Sequence, residues 1–104
     1  MALKVFWSPE ADQELDTIFD YLLAEWNKKV VSTFARRIDS CIKTISEFPD
    51  SYPVTNKRKK LHRCILSKQS SLFYRVKNNE IEIVFLFDNR RSTSKLRKRM
   101  RRVK

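Results

Sequence analysis

The residues best equipped for chemistry lie in the second half of the chain, and they are cations. Lys57, Arg58, Lys59 and Lys60 form an unbroken basic run, Arg63 and Arg75 follow at strand-like positions, and Arg90-Arg91 close the segment. Such groups hold phosphate and stabilise charge developing on it, arginine through a planar fork and lysine as a point charge. Arg75 is in phase with Phe73 and Lys77 and opposite in phase to Leu72, Tyr74 and Val76. It is therefore expected on a sheet face left uncovered, where arginine beside Phe73 suits phosphate clamping and base stacking. A salt-bridged structural role suits the same residue equally well.

Other chemistries find little support. His62 is the only histidine, and a structural or surface role is expected for it. Zinc held by Cys41, His62 and Cys64 would lack a fourth ligand and any standard spacing, so neither a metal site nor a cofactor is expected. Cys41 falls in an apolar stripe and reads as core, and the two cysteines read as reduced thiols, not a disulfide framework. The 104 residues include no glycine. Backbone cradles for phosphate, in P-loops and dinucleotide folds, are thereby excluded.

The net charge of +11 is unevenly divided. Residues 1–55 carry six bases against nine acids, or −3, while residues 56–104 carry 17 bases against Glu80, Glu82 and Asp88, or +14. A basic half on a small domain favours a polyanionic partner, nucleic acid or an acidic protein segment. With 41% hydrophobic residues the chain can build a core, and no apolar run approaches the roughly 18 residues a membrane span needs.

The elements that must position these cations are legible from spacing. Lys4-Val5-Phe6-Trp7 is a short β-rich run, and Ser8-Pro9-Glu10 is a helix start, with serine as cap and proline at the first helical position. Ala11, Leu15, Ile18, Leu22 and Trp26 recur at helical intervals, and every charged position of this helix is acidic. Those acids read as a solvated face and keep the helix off DNA phosphates. Asn27 can cap a second helix whose stripe runs through Val31, Phe34, Ile38, Cys41, Ile42, Ile45 and Phe48 until Pro49 stops it. So short a link predicts an antiparallel helical hairpin. Residues 49–60 are read as a loop.

Three strands follow, Leu61–Leu66, Leu72–Lys77 and Glu80–Phe87, the last two joined by Asn78-Asn79. Asparagine tolerates the left-handed backbone a two-residue hairpin demands, the way a glycine-free chain makes one. Ile81, Ile83, Phe85 and Phe87 alternate and are expected on one face, and Val84 and Leu86 make the strand apolar on both sides and central. The last 16 residues hold nine bases and no acid, with Leu96, Met100 and Val103 at helical spacing. This tail is read either as a basic helix against a surface or as a disordered, solvated segment. The expected fold is α+β, in the order β-α-α-β-β-β, a two-layer domain over residues 1–90 with the helical hairpin on an antiparallel-rich sheet, followed by the tail 91–104.

Trp7-Ser8-Pro9-Glu10-Ala11, Leu15, Ile18, Tyr21-Leu22, Phe48-Pro49, Ser71-Leu72-Phe73-Tyr74-Arg75-Val76, Ile81-Glu82-Ile83-Val84 and Asp88-Asn89-Arg90-Arg91 together resemble the RelE/ParE superfamily of bacterial type II toxin–antitoxin toxins, over roughly residues 3–92. The resemblance implies a cytoplasmic growth inhibitor held inactive in a hetero-oligomer by a small antitoxin, whose acidic segment would suit the basic surface. It also implies one of two targets. RelE-like members cut mRNA on the ribosome with the RNA 2′-hydroxyl as nucleophile. By that likeness Lys59, Lys60, Arg63 and Arg90 are the catalytic candidates, and Lys57, Arg58, Arg75 and Arg91 the nucleic-acid contacts. ParE-like members poison DNA gyrase and need no catalytic residues of their own. The Lys57–Lys60 run and the basic tail tilt the expectation to mRNA cleavage. Beyond Tyr74 the sequence has neither the tyrosine nor the histidine that many such nucleases carry. A basic RNA-binding module outside toxin biology is the third reading.

Overall fold

The computed structural model describes residues 2–104. The chain runs β1 (Val5–Trp7), α1 (Pro9–Glu25), α2 (Lys28–Glu47), β2 (Val54–Asn56), β3 (Leu61–Ile65), β4 (Ser70–Lys77), β5 (Glu80–Asp88) and α3 (Thr93–Arg101). The strands form one sheet in the order β1-β5-β4-β3-β2, with β1 parallel to β5 and the other neighbours antiparallel. This is the expected α+β fold. The segment expected as pure loop between α2 and β3 contributes the three-residue edge strand β2.

Local chemistry sets the element ends. Ser8 caps α1 by accepting a hydrogen bond from the Ala11 N–H at 3.0 Å, and Pro9 opens the helix. Asn27 does the same for α2, accepting from the Val30 N–H at 3.1 Å. With only Trp26 and Asn27 between the helices, Phe19 and Phe34 meet edge to face across the hairpin at 5.9 Å. Asn78 and Asn79 both take the left-handed conformation, φ 54° and 61°, which closes the β4–β5 hairpin with two residues as expected. Lys60 is a third non-glycine residue there, at φ 59°, ending the turn in which Asn56 Oδ1 accepts from the Lys59 N–H.

The hairpin covers one face of the sheet. Phe34, Ile38, Cys41 and Ile45 of α2 pack on Cys64, Leu72, Tyr74, Ile81, Ile83 and Leu86. The opposite face is covered as well. Leu96, Met100 and Val103, from α3 and the residues after it, bury Leu61, Phe73, Val84, Phe85 and Phe87. The tail is thus a helix with a packed apolar side. Its coverage corrects one expectation: Phe73 is fully buried, stacked on Phe85 at 4.5 Å, and offers no surface to a base.

A second correction concerns the phase of β5. Phe73 pairs with Phe85 and Tyr74 with Ile83, so Val84 is an extra residue, a β-bulge. The bulge shifts the alternation by one. Ile81 and Ile83 face the helical hairpin, whereas Phe85 and Phe87 face α3. Ser8 secures the irregularity, its hydroxyl donating to the Val84 carbonyl at 2.6 Å and its N–H to the Ile83 carbonyl at 2.9 Å. One serine therefore caps α1 and fixes the place where β5 changes phase.

Candidate functional site

The cations expected to act together are distributed over two ends of the sheet. Lys57, Arg58, Lys59 and Lys60 stand at the entrance to β3, where Lys59 Nζ donates to the Val103 carbonyl and its own carbonyl accepts from Arg75. Arg75 is paired with Glu82 at 2.8 Å, both side chains largely covered, so the salt-bridged alternative describes its place. Arg63 reaches the other way, donating to Ser71 Oγ at 3.0 Å and Asn89 Oδ1 at 2.8 Å while lying over the Phe73 ring. Arg90 grips Asp88 through Nε and Nη2 and holds that carboxyl below the usual carboxylate range. From Arg75 to Ser70, opposite Asp88, β4 spans about 17 Å of strand. Lys59 and Lys60 are thus not brought together with Arg90 and Arg91. Lys57, Arg58, Lys60, Arg90 and Arg91 are exposed.

His62 lies among the apolar side chains on the hairpin face, its ring stacked on Tyr74 at 4.8 Å and Nδ1 at 2.8 Å from the Tyr52 carbonyl. That is the structural role expected of it. Among the described residues no three metal-ligating side chains cluster together.

A groove of about 1370 Å³ lies between the helical hairpin, β5 and α3. Its hairpin wall carries an apolar and aromatic strip, Ile18, Tyr21, Leu22, Trp26, Val30 and Phe34, among polar side chains that include Glu10 and Glu14; its α3 wall presents Arg91, Lys95, Lys98, Arg99 and Arg102. Trp26 and Tyr21 are 59% and 48% exposed, although helical spacing placed Trp26 in the core stripe. It stands just beyond the end of α1 and lines the groove.

β1 pairs only with Ile81–Ile83, so the rest of that β5 edge has no strand beside it. Glu14 takes the strand's place, accepting from the Leu86 N–H at 3.1 Å. Burial raises its pKa above the ordinary carboxyl value, opposed by the Leu86 hydrogen bond and by Arg99. Arg99 stands 3.9 Å from Glu14 and 4.3 Å over the Phe85 ring, tying α3 to the groove floor. Sequence reasoning passed over Glu14 as one acid of a solvated face. Its position one turn after Ala11, beside Leu15 of the buried stripe, was the available signal.

Residues 5–93 match the family model described as the ParE toxin of the type II toxin–antitoxin system parDE. The chain belongs to that family. Its fold is similar to one from the chromosomal ParDE system of P. aeruginosa, with 18% identity, 84% of this chain and 96% of that one covered, and a TM-score of 0.69. It is similar also to the YoeB dimer from Staphylococcus aureus, at 16% identity, 84% and 97% coverage and a TM-score of 0.58. The E. coli DinJ–YafQ toxin–antitoxin complex contains a third such fold, at 5% identity, 86% and 96% coverage and a TM-score of 0.58. No curated protein sequence is significantly similar to the chain. As a ParE-family toxin the chain carries its family's sheet and helical hairpin with a basic α3 behind them, and no described helix is long and apolar enough to cross a membrane.

Proposed function

We propose that this toxin acts by binding DNA gyrase, without chemistry of its own, and that an acidic segment of a cognate antitoxin fills the groove in the inactive hetero-oligomer. The dispersal of the expected catalytic cations carries the first part. Lys59, Arg63 and Arg90 each have a partner within the fold, and the Lys59 contact sits at the opposite end of the sheet from those of Arg63 and Arg90. General acid–base catalysis needs a proton carrier within reach of the reacting atoms. His62 is buried, its ring stacked on Tyr74 and its Nδ1 engaged with the Tyr52 carbonyl. The match to the ParE family model supports gyrase as the target.

The groove supports the second part. An amphipathic segment would lay apolar side chains against Leu22, Trp26 and Phe34 and acids against Lys95 and Lys98. The same two-sided wall supports an antitoxin over free nucleic acid here, because phosphates gain nothing from the apolar side.

Ribosome-associated mRNA cleavage is the second reading. Lys57, Arg58 and Lys60 are exposed, and Lys59 between them is tied to the Val103 carbonyl, next in sequence to the exposed Lys104. That surface fits a phosphate backbone. Primer extension on mRNA incubated with ribosomes and purified toxin separates the two. Intact message is expected; toxin-dependent cuts that vanish in Lys59→Ala/Arg90→Ala would replace the first reading with the second.

A further inference from the structure

The target and the groove leave one reactive pair unused. Cys41 on α2 and Cys64 on β3 face each other across the seam between helix and sheet, with Sγ atoms 2.7 Å apart and exposures of 3% and 2%. A disulfide needs about 2.05 Å, so roughly 0.7 Å of closure remains, within the reach of small side-chain rotations. The Cys41 thiol donates to the Cys64 sulfur, which draws Cys64 below the usual thiol range and pushes Cys41 up. The first is thus the better nucleophile and the second its resolving partner.

We propose that Cys41 and Cys64 form a peroxide-oxidisable dithiol that closes to an intramolecular disulfide clamping α2 to β3. The Cys64 thiolate attacks one oxygen of hydrogen peroxide, the O–O bond breaks, and the other oxygen leaves as water after taking a proton. Cys64 is then a sulfenic acid. Cys41 attacks the sulfenic sulfur, the S–S bond forms, and the hydroxyl departs with the Cys41 proton as a second water. Two thiols have given up two electrons and two protons, and one peroxide has become two waters.

The clamp joins residues 23 apart in sequence. It reinforces a seam already bridged once, by the Arg37 side chain donating to the Leu66 carbonyl at 3.0 Å. Closing such a loop restricts the unfolded chain, so the oxidised protein resists unfolding more than the reduced one. The reduced pair remains the resting state in a thiol-rich compartment.

The test uses the whole chain. It is treated with hydrogen peroxide, denatured in N-ethylmaleimide and digested without reductant for mass spectrometry. The expected result is a protein lighter by two hydrogens, no alkylated cysteine, linked Cys41 and Cys64 peptides, and a thermal midpoint raised by about 5 °C or more that reverts with dithiothreitol. Cys41→Ala and Cys64→Ala each abolish the link. Two alkylated thiols, a sulfinic acid on either cysteine, or a link that leaves the midpoint unmoved would overturn the proposal. The peptide map is made on the wild-type chain, so a misfolded variant leaves the test standing. Neither gyrase nor mRNA enters the readout, which separates this proposal from that of the target.

Discussion

Glu14 shows how one side chain is drawn out of a solvated row by what the sheet lacks. β1 ends before Leu86, and the carboxylate supplies the acceptor that a longer strand would have offered. Burial raises its pKa, so its protonated form contributes stability that is fully present below the unfolded value and lost as pH rises through the folded one. Glu14→Gln keeps an oxygen for the Leu86 N–H and removes that dependence. Urea midpoints from about pH 4 to pH 7 are expected to move steadily in the variant's favour relative to wild type; parallel profiles would contradict the assignment. Asn79 makes a simpler case. Its φ of 61° costs an ordinary side chain about 1 kcal/mol, so Asn79→Ala is expected to lower stability by that amount in urea unfolding. No loss would mean that the turn tolerates a Cβ without the asparagine amide.

The elements were more legible than the way they pack. Ser8-Pro9, Asn27 and Pro49 mark the helix limits because capping and proline chemistry act within a few residues. Asn78-Asn79 is legible for the same reason. The phase of β5 was not, because the bulge at Val84 is imposed by a distant partner: Ser8 holds the Val84 carbonyl across 76 residues of sequence. β2 escaped notice because its three residues carry no alternation. The consecutive burial of Leu72, Phe73 and Tyr74 is the mark of a strand covered on both faces, by the hairpin on one side and by α3 on the other. Charge density in 91–104 obscured that its three apolar residues are a packing edge. α3 is accordingly structural. Leu96→Ala is expected to cost about 3 kcal/mol in urea unfolding by opening a cavity over Phe73 and Phe85. A change below about 0.5 kcal/mol would mean that α3 rests on the sheet without supporting it.

At the scale of the molecule, the division of charge that the sequence displays becomes a division of surfaces. The helical hairpin and the basic last helix flank the same groove, the hairpin contributing apolar side chains together with the carboxyls of Glu10 and Glu14. The cations were legible as residues but not as a site, because spacing along a strand does not reveal which cations the fold assigns to Glu82, Asp88 or Asn89. Trp26 is the exposed anchor of the groove. Trp26→Ala is expected to weaken antitoxin binding about tenfold in titration calorimetry while leaving the unfolding midpoint nearly unchanged; unaltered affinity would place the antitoxin elsewhere.

The central claim is that the free toxin disables its target by binding it. Supercoiling of relaxed plasmid by purified gyrase, with toxin titrated in and antitoxin added back, tests this most directly. Dose-dependent loss of supercoiling that antitoxin reverses, undiminished in Lys59→Ala/Arg90→Ala, is the predicted result. Undisturbed supercoiling at toxin in large excess over gyrase would contradict it.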